Sequence, residues 1–392
     1  MADWLKNAVI YQVFIDRFFG YSENVDAMQP QFVGGNIGGI TAKLPYLIDL
    51  GVDAIWLTPF FATTDYHGYS TTDFYKVDEH FGTLSDIKAL ATACHKAGIK
   101  IIVDFTANHT SDQHPFFLEA HNDPNSLYRH WYYFKSNNEY LRFLHFNTLP
   151  KLNLDYEPAR EHVIGAAEYW IGELDADALR LDHPIGPSDD FWREFARRVR
   201  LANPRIKLIG EAVLKEFKKG DFATYKLPHP ARFVIAANLS RYPFDPVMKH
   251  YVGLFDGCLD YTYFHLLKRV AAGELSEQTF RRMLTKHYAK FPADYALPAF
   301  IDNHDTNRYL YLVNQDYDRL KQALELEFSL PQPKIIYYGD EVGMTQAEAM
   351  YINTGWAGDL PARAKMNWQP DAKQQELLAL YKDLIARSKP KQ

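Results

Sequence analysis

"ALRLDHPIG" occupies residues 178–186. Apolar residues flank Arg180 and Asp182, and a short apolar run of this kind reads as a buried strand. Residues two apart on a strand share a face, so the guanidinium and the carboxylate point the same way. Burying a charge costs several kcal/mol unless it is paired. A buried strand that carries such a pair and then meets a proline is predicted to end at a functional rim.

Seven further apolar stretches share this reading: "AVIYQVF" (8–14), "DAIWLTP" (53–59), "KIIVDF" (100–105), "IKLIGEA" (206–212), "FDGCLDY" (255–261), "ALPAFIDNHD" (296–305) and "KIIYYGDE" (334–341). Helical patterns separate them. Ile87, Leu90, Ala91 and Cys94 follow the i, i+3, i+4, i+7 spacing, with Ser85 as the expected cap and Gly98 as the stop. Residues 161–174 form a helix leading into the fourth strand. Ser188 caps a helix with Phe191, Phe195 and Val199 on one face, ended by Asn203 and Pro204. Strands alternating with helices imply a parallel sheet. Eight such units in 392 residues predict an α/β chain folded as a closed (β/α)8 TIM barrel.

Residues 106–157 break the rhythm. They are too long for an ordinary loop and are expected to form a small inserted subdomain after the third strand. The barrel then comprises 1–105 and 158–392. Residues 213–254 make a second long, partly helical connection, and its apolar segment "FVIAANLSRYPF" is a candidate cover for exposed surface. "VGGNIGGI" (33–40) lacks dinucleotide-fingerprint spacing and reads as a turn before a helix. An amphipathic helix at about 371–388 ends the chain, leaving no C-terminal β-sandwich.

The net charge is −6, with 47% hydrophobic and 23% charged residues. No basic stripe suggests a nucleic-acid partner. Only two cysteines occur, which excludes a disulfide framework. No stretch approaches the roughly 18 apolar residues of a membrane span. The first residues lack the pattern of a signal peptide, so a cytoplasmic protein is expected, although a chain whose leader had been removed would read the same. Aromatics reach 15%. They fill cores and also suit the faces of sugar rings.

Barrel active sites lie at the C-terminal ends of the strands, and there the polar residues fall. The third strand ends in Asp104, followed by Asn108 and His109. The fourth ends in Arg180 and Asp182, the fifth in Glu211, and the seventh in Asn303, His304 and Asp305. One such group reads equally as a structural salt bridge, but four strands ending in ionisable groups at one rim point to a site. Neighbouring strands lie about 4.8 Å apart, so Asp182 and Glu211 face each other across a short gap. A carboxyl pair roughly 5–5.5 Å apart suits a retaining glycosidase. Arg180 is expected to keep Asp182 ionised as a nucleophile. Glu211 has no cation nearby in sequence and is expected to hold a proton as the acid. Asp305 supplies a third carboxylate for a positive transition state. His109 and His304 can hydrogen-bond the same sugar.

These residues resemble the α-amylase family of glycoside hydrolases (family 13). "YQVFIDRF", "GVDAIWLTP", "HGYSTTDFY", "DFTANH", "LRLD", "GEA", "FIDNHD", "YYGDEVG" and "DLPAR" (359–363) follow in the family's order over nearly the whole chain. "LPKLN" (149–153) is similar to the inserted-domain signature of the neopullulanase and cyclomaltodextrinase branch. The resemblance implies Asp182 as nucleophile, Glu211 as acid/base and Asp305 as transition-state stabiliser. It places Tyr69 against the sugar on the non-reducing side of the cut. His67, Asp104, His109, Arg180, His304, Asp359 and Arg363 would surround that sugar.

The sequence departs from the family where Ile185 and Gly186 replace a basic residue and a histidine that many members use on the reducing side. His183 is the remaining candidate there. The family requires no cofactor for the chemistry. Calcium binds some members, and the candidate set here is Asn24, Asp26, Asn36 and Asn108, although the same residue types serve turns. Family members usually carry a C-terminal sandwich, and the branch an N-terminal domain. Neither is expected from this sequence, so the oligomeric state does not carry over.

The leading expectation is a retaining hydrolase of α-1,4-glucans such as starch or maltooligosaccharides, with transglycosylation as a variant outcome. The alternatives are an α-1,6-acting, pullulan-degrading or glucanotransferase member, and a non-catalytic carbohydrate-binding protein.

Overall fold

The computed structural model describes residues 3–144, 146–213, 244–350 and 355–389. Ten strands are described: β1 (Val9–Val13), β2 (Ala54–Leu57), β3 (Phe61–Thr63), β4 (Thr71–Val77), β5 (Lys100–Phe105), β6 (Ala178–Leu181), β7 (Lys207–Gly210), β8 (Gly257–Cys258), β9 (Ala299–Phe300) and β10 (Lys334–Tyr337). Eight form one sheet in the order β8-β7-β6-β5-β2-β1-β10-β9, and all its pairs are parallel. A parallel bridge between Gly257 and Ala296 joins its two ends. The sheet is therefore a closed (β/α)8 barrel, and each of the eight stretches predicted from sequence contributes one strand.

Strand alternation divides the core in two. Ile10, Ala54, Trp56, Ile102, Ala178, Ile209 and Ile335 belong to the smaller cluster that fills the barrel. Val9, Tyr11, Ile55, Ile101, Val103, Leu179 and Leu208 belong to the larger cluster under the helices. Arg180 and Asp182 share the parity of Ala178, Asp104 that of Ile102, Gln12 that of Ile10, and Glu211 that of Ile209. The inward stripe thus turns from aliphatic to ionisable toward the C-terminal end of each strand, because only the mouth gives polar groups partners.

Helices form where caps and spacing direct them. Asn36 caps helix Ile37–Leu50, as the turn reading of "VGGNIGGI" anticipates. Ser188 caps Asp189–Ala202, which ends at Asn203. The helix at Leu84–Lys96 is capped by Thr83 and not by Ser85, because Thr83 and Asp86 form a reciprocal capping box. The helix expected over 161–174 begins at Glu157. Its Pro158 lies in the first turn, where a missing N–H costs nothing. The β3–β4 hairpin is antiparallel and was not anticipated.

Between β5 and helix Glu157–Leu174 lie helix Pro115–Asn122 and isolated bridges, including His109↔Lys151 and Tyr132↔Leu152. Most of the 213–254 connection, including nearly all of "FVIAANLSRYPF", lies outside the described residues. Within its described end, helix Asp245–His250 leads toward β8. No described helix is long and apolar enough to cross a membrane.

Candidate active site

Register places the two central carboxylates. Leu181 pairs with Gly210 across β6 and β7, so the next residues, Asp182 and Glu211, stand level at the barrel mouth. Arg180 joins them. Its Nη1 lies 2.9 Å from Asp182 Oδ1 and 2.7 Å from Asp104 Oδ1. Its Nη2 lies 2.6 Å from Glu211 Oε2. The expectation that Glu211 lacks a cation is therefore corrected. Arg180 adjoins Asp182 in sequence, but the fork of its guanidinium reaches across to the next strand as well.

The expected pull of Arg180 on Asp182 is present but outweighed. Burial pushes this carboxyl from 3.8 up to about 6, against the opposing pull of Arg180, and the Asp104 and Asp305 carboxylates add to the rise. Desolvation outweighs the neighbouring cation here because the guanidinium is shared among three carboxylates.

Asp305 joins this cluster from the loop after β9. Arg363 Nη2 lies 3.0 Å from Asp305 Oδ1 and 3.1 Å from Asp359 Oδ2. Arg363 also donates to the His304 carbonyl at 2.8 Å and to Tyr66 Oη at 3.1 Å. "DLPAR" and "FIDNHD", more than fifty residues apart, thus form one unit.

A polar chain ties His304 to Tyr69 and Asp104. Gln12 Nε2 donates to His304 Nδ1 at 2.7 Å, His304 Nε2 meets Tyr69 Oη at 2.8 Å, and Tyr69 Oη donates to Asp104 Oδ2 at 2.7 Å. Trp56 Nε1 donates to the same oxygen at 3.0 Å. The Tyr69 and His304 rings are parallel, 5.4 Å apart. His109 Nε2 lies 3.2 Å from the Tyr69 carbonyl, and burial lowers this imidazole to about 3. His67 Nδ1 accepts from the Tyr69 amide at 3.0 Å, and burial lowers this ring well below its usual value.

Exposure sorts these residues. The side chains of Asp305 and Asp359 are 18% and 17% exposed and that of Asp182 10%, whereas Asp104 is at 0% and Arg180 and Arg363 at 1%. Asp104 thus braces Arg180, Tyr69 and Trp56 from behind. Gln12, Trp56, Tyr66 and Tyr261 were missed. Gln12 had a signal, a polar residue inside an apolar strand. The other three are aromatics that read as core.

The departure from the family at Ile185 and Gly186 has a packing explanation. Gly186 lies so close to Asn108 that a Cβ would fall 1.9 Å from Asn108 Oδ1, so no histidine fits there. Ile185 is buried in the core. His183 adopts a left-handed backbone with φ 42°, uncommon for a residue bearing a side chain. Its ring meets Phe143 edge-on at 4.6 Å.

Of the candidate calcium residues, Asn24, Asp26 and Asn36 serve turns or lie exposed, whereas Asn108 Oδ1 is buried without a hydrogen-bond partner among the described residues. Asn36 Oδ1 accepts from the Gly39 amide at 2.8 Å and its Nδ2 donates to the Gly34 carbonyl at 3.0 Å. Asp26 Oδ1 closes a turn onto Met28 at 2.8 Å, and Asn24 is exposed. Asn108 lies against Gly186, whose carbonyl takes the Lys151 ammonium at 2.7 Å. A cation there repels a second one. Among the described residues, no group of three or more His, Cys, Asp or Glu is placed to hold a metal.

The family model for the α-amylase catalytic domain matches residues 12–142 and 244–384. The chain belongs to the α-amylase family. This α-amylase family chain is 32% identical to α-amylase 2 of Dictyoglomus thermophilum, over 97% of its own length and 63% of the relative's. It is 30% identical to a cyclomaltodextrinase from a Bacillus species, over 97% of its own length and 65% of the relative's. Among solved structures, the cyclic α-maltosyl-(1→6)-maltose hydrolase of Arthrobacter globiformis aligns with a TM-score of 0.80 and 26% identity, covering 99% of this chain and 84% of that one. The chain spans just under two thirds of the length of the first two, curated relatives. The likeness includes the cyclomaltodextrinase and neopullulanase branch, as "LPKLN" implied.

Proposed function

We propose that this chain is a retaining hydrolase of α-1,4-glucans, such as starch or maltooligosaccharides, working by double displacement. The observation that carries the reading is the level pair Asp182 and Glu211 on adjacent strands, both held by Arg180. In the first step a carboxylate oxygen of Asp182 attacks the anomeric carbon as Glu211 protonates the departing oxygen. In the second, Glu211 takes a proton from water, which releases the sugar from Asp182. Asp305, fixed by Arg363, binds hydroxyls and stabilises the positive charge that develops on the ring. Tyr69 presents its ring to the sugar on the non-reducing side, braced by Asp104 and His304. His67, His109, Asp359 and Arg363 complete that subsite.

Residues 106–157 act in this reading as an inserted subdomain that roofs the site. Its support is the Lys151 ammonium on the Gly186 carbonyl and the His109↔Lys151 bridge. Catalysis needs no metal.

A second reading keeps the same chemistry on an α-1,6 bond or with a sugar acceptor. It is favoured by the small residue at Gly186, which leaves the reducing side without the usual histidine. The Arthrobacter relative is named as a hydrolase of an α-1,6-containing ring. Proton NMR of the first products from maltoheptaose and from pullulan separates the readings. Release of the α-anomer from maltoheptaose supports the first. Cleavage of pullulan alone supports the second, and a β-anomer contradicts both.

A further inference from the structure

We infer that Tyr261 is a positioning residue for the acid/base: its hydroxyl donates to Glu211 and sets the alkaline limb of activity. The inference rests on the proposed role of Glu211. Tyr261 opens helix Tyr261–Ala271, directly after β8. Its Oη donates to Glu211 Oε1 at 2.8 Å, and Asn303 Nδ2 donates to that same Oη at 3.3 Å. The chain Asn303→Tyr261→Glu211 fixes the direction of the phenolic proton, because the incoming amide N–H leaves it free to point at the carboxylate.

The ring cannot swing away. It is 2% exposed, packs edge-on against Phe300 at 5.1 Å, and belongs to the cluster that fills the barrel. Among the described residues, the charged groups around Glu211 and Tyr261 come from two directions. Arg180 contributes Nη2 from β6, Asp182 directly follows β6 and stands level with Glu211 across the β6–β7 pairing, and Asp305 acts on Tyr261 from the loop after β9. Burial first, then the Glu211 and Asp305 carboxylates, hold the phenol protonated, so Tyr261 is a donor throughout the working range. Arg180 and Tyr261 thereby grip one oxygen each and leave Glu211 a fixed orientation.

A hydrogen bond donated to a carboxylate favours its ionised form. Removing the donor makes Glu211 keep its proton to higher pH. The test compares the parent with Tyr261→Phe, measuring kcat/KM for maltoheptaose across pH. The alkaline limb is expected to move up by about half to one pH unit, while the acid limb, assigned to Asp182, stays in place. Asn303→Ala, which weakens the same chain without touching the ring, is expected to give a smaller shift in the same direction. It also reads the effect if Tyr261→Phe does not fold. An alkaline limb unmoved in a variant with the parent's melting curve, or a uniform loss at all pH values, overturns the inference. Glu211→Gln distinguishes the two levels: full activity in that variant overturns the acid/base role itself, whatever Tyr261 does.

Discussion

Asp182, the proposed nucleophile, illustrates how a buried charge opposes the fold that holds it. Its carboxyl binds a proton more tightly in the folded chain, near pH 6, than at the ordinary value of 3.8. Such a group favours the folded state fully below the unfolded value and loses that contribution as pH rises toward the folded value. At pH 7 the ionised carboxylate therefore destabilises the protein. Asp182→Asn is predicted to melt a few degrees higher than the parent at pH 7, with the gap closing below about pH 4. Differential scanning calorimetry at both pH values checks it, and an unchanged gap contradicts the buried-charge account. The same titration predicts that kcat/KM falls on the acid side near pH 6, because a nucleophile must be ionised. The pair Arg180–Asp182 was legible in nine residues of sequence. The net direction of the Asp182 shift was not, because burial and the distant carboxylates Asp104 and Asp305 depend on other strands.

Elements were legible wherever spacing and caps agree. The eight strands were found because each is an apolar run flanked by helical patterns, and the Ser188 cap because it immediately precedes the amphipathic run. The β3–β4 hairpin was hidden because Thr, Asp and Tyr in "TTDFYKV" show no clean alternation of burial. The loop after β6 was legible as a departure from the family, but its cause was not, since Asn108 is seventy-eight residues away. Gly186→Ala places a methyl on Asn108 Oδ1. It is predicted to cost about 1–3 kcal/mol in urea unfolding, the usual penalty of overpacking, and to lower activity by displacing the turn beside Asp182. Parent-like stability would mean that Asn108 can move aside freely. The same turn carries the Lys151 ammonium where a calcium ion would need its own oxygen ligands. Prolonged incubation with EDTA is accordingly predicted to leave the melting temperature and rate unchanged. A loss reversed by added calcium contradicts this.

At the scale of the whole molecule, a parallel barrel gathers chemistry that is scattered over three hundred residues. Tyr69, Asp104, Asp182, Glu211, Asp305 and Arg363 meet because all lie at or beyond the C-terminal ends of the strands, at one mouth of the barrel. Membership of the α-amylase family was legible from the order of these motifs. The second tier was not: Trp56, Tyr66 and Tyr261 reveal their roles only through partners on other strands. The central claim, that this mouth cleaves α-glucans through Asp182, is tested most directly by incubating maltoheptaose with the parent and with Asp182→Asn and following products by chromatography. The account predicts shorter maltooligosaccharides from the parent and none from the variant. Equal product from both would contradict it.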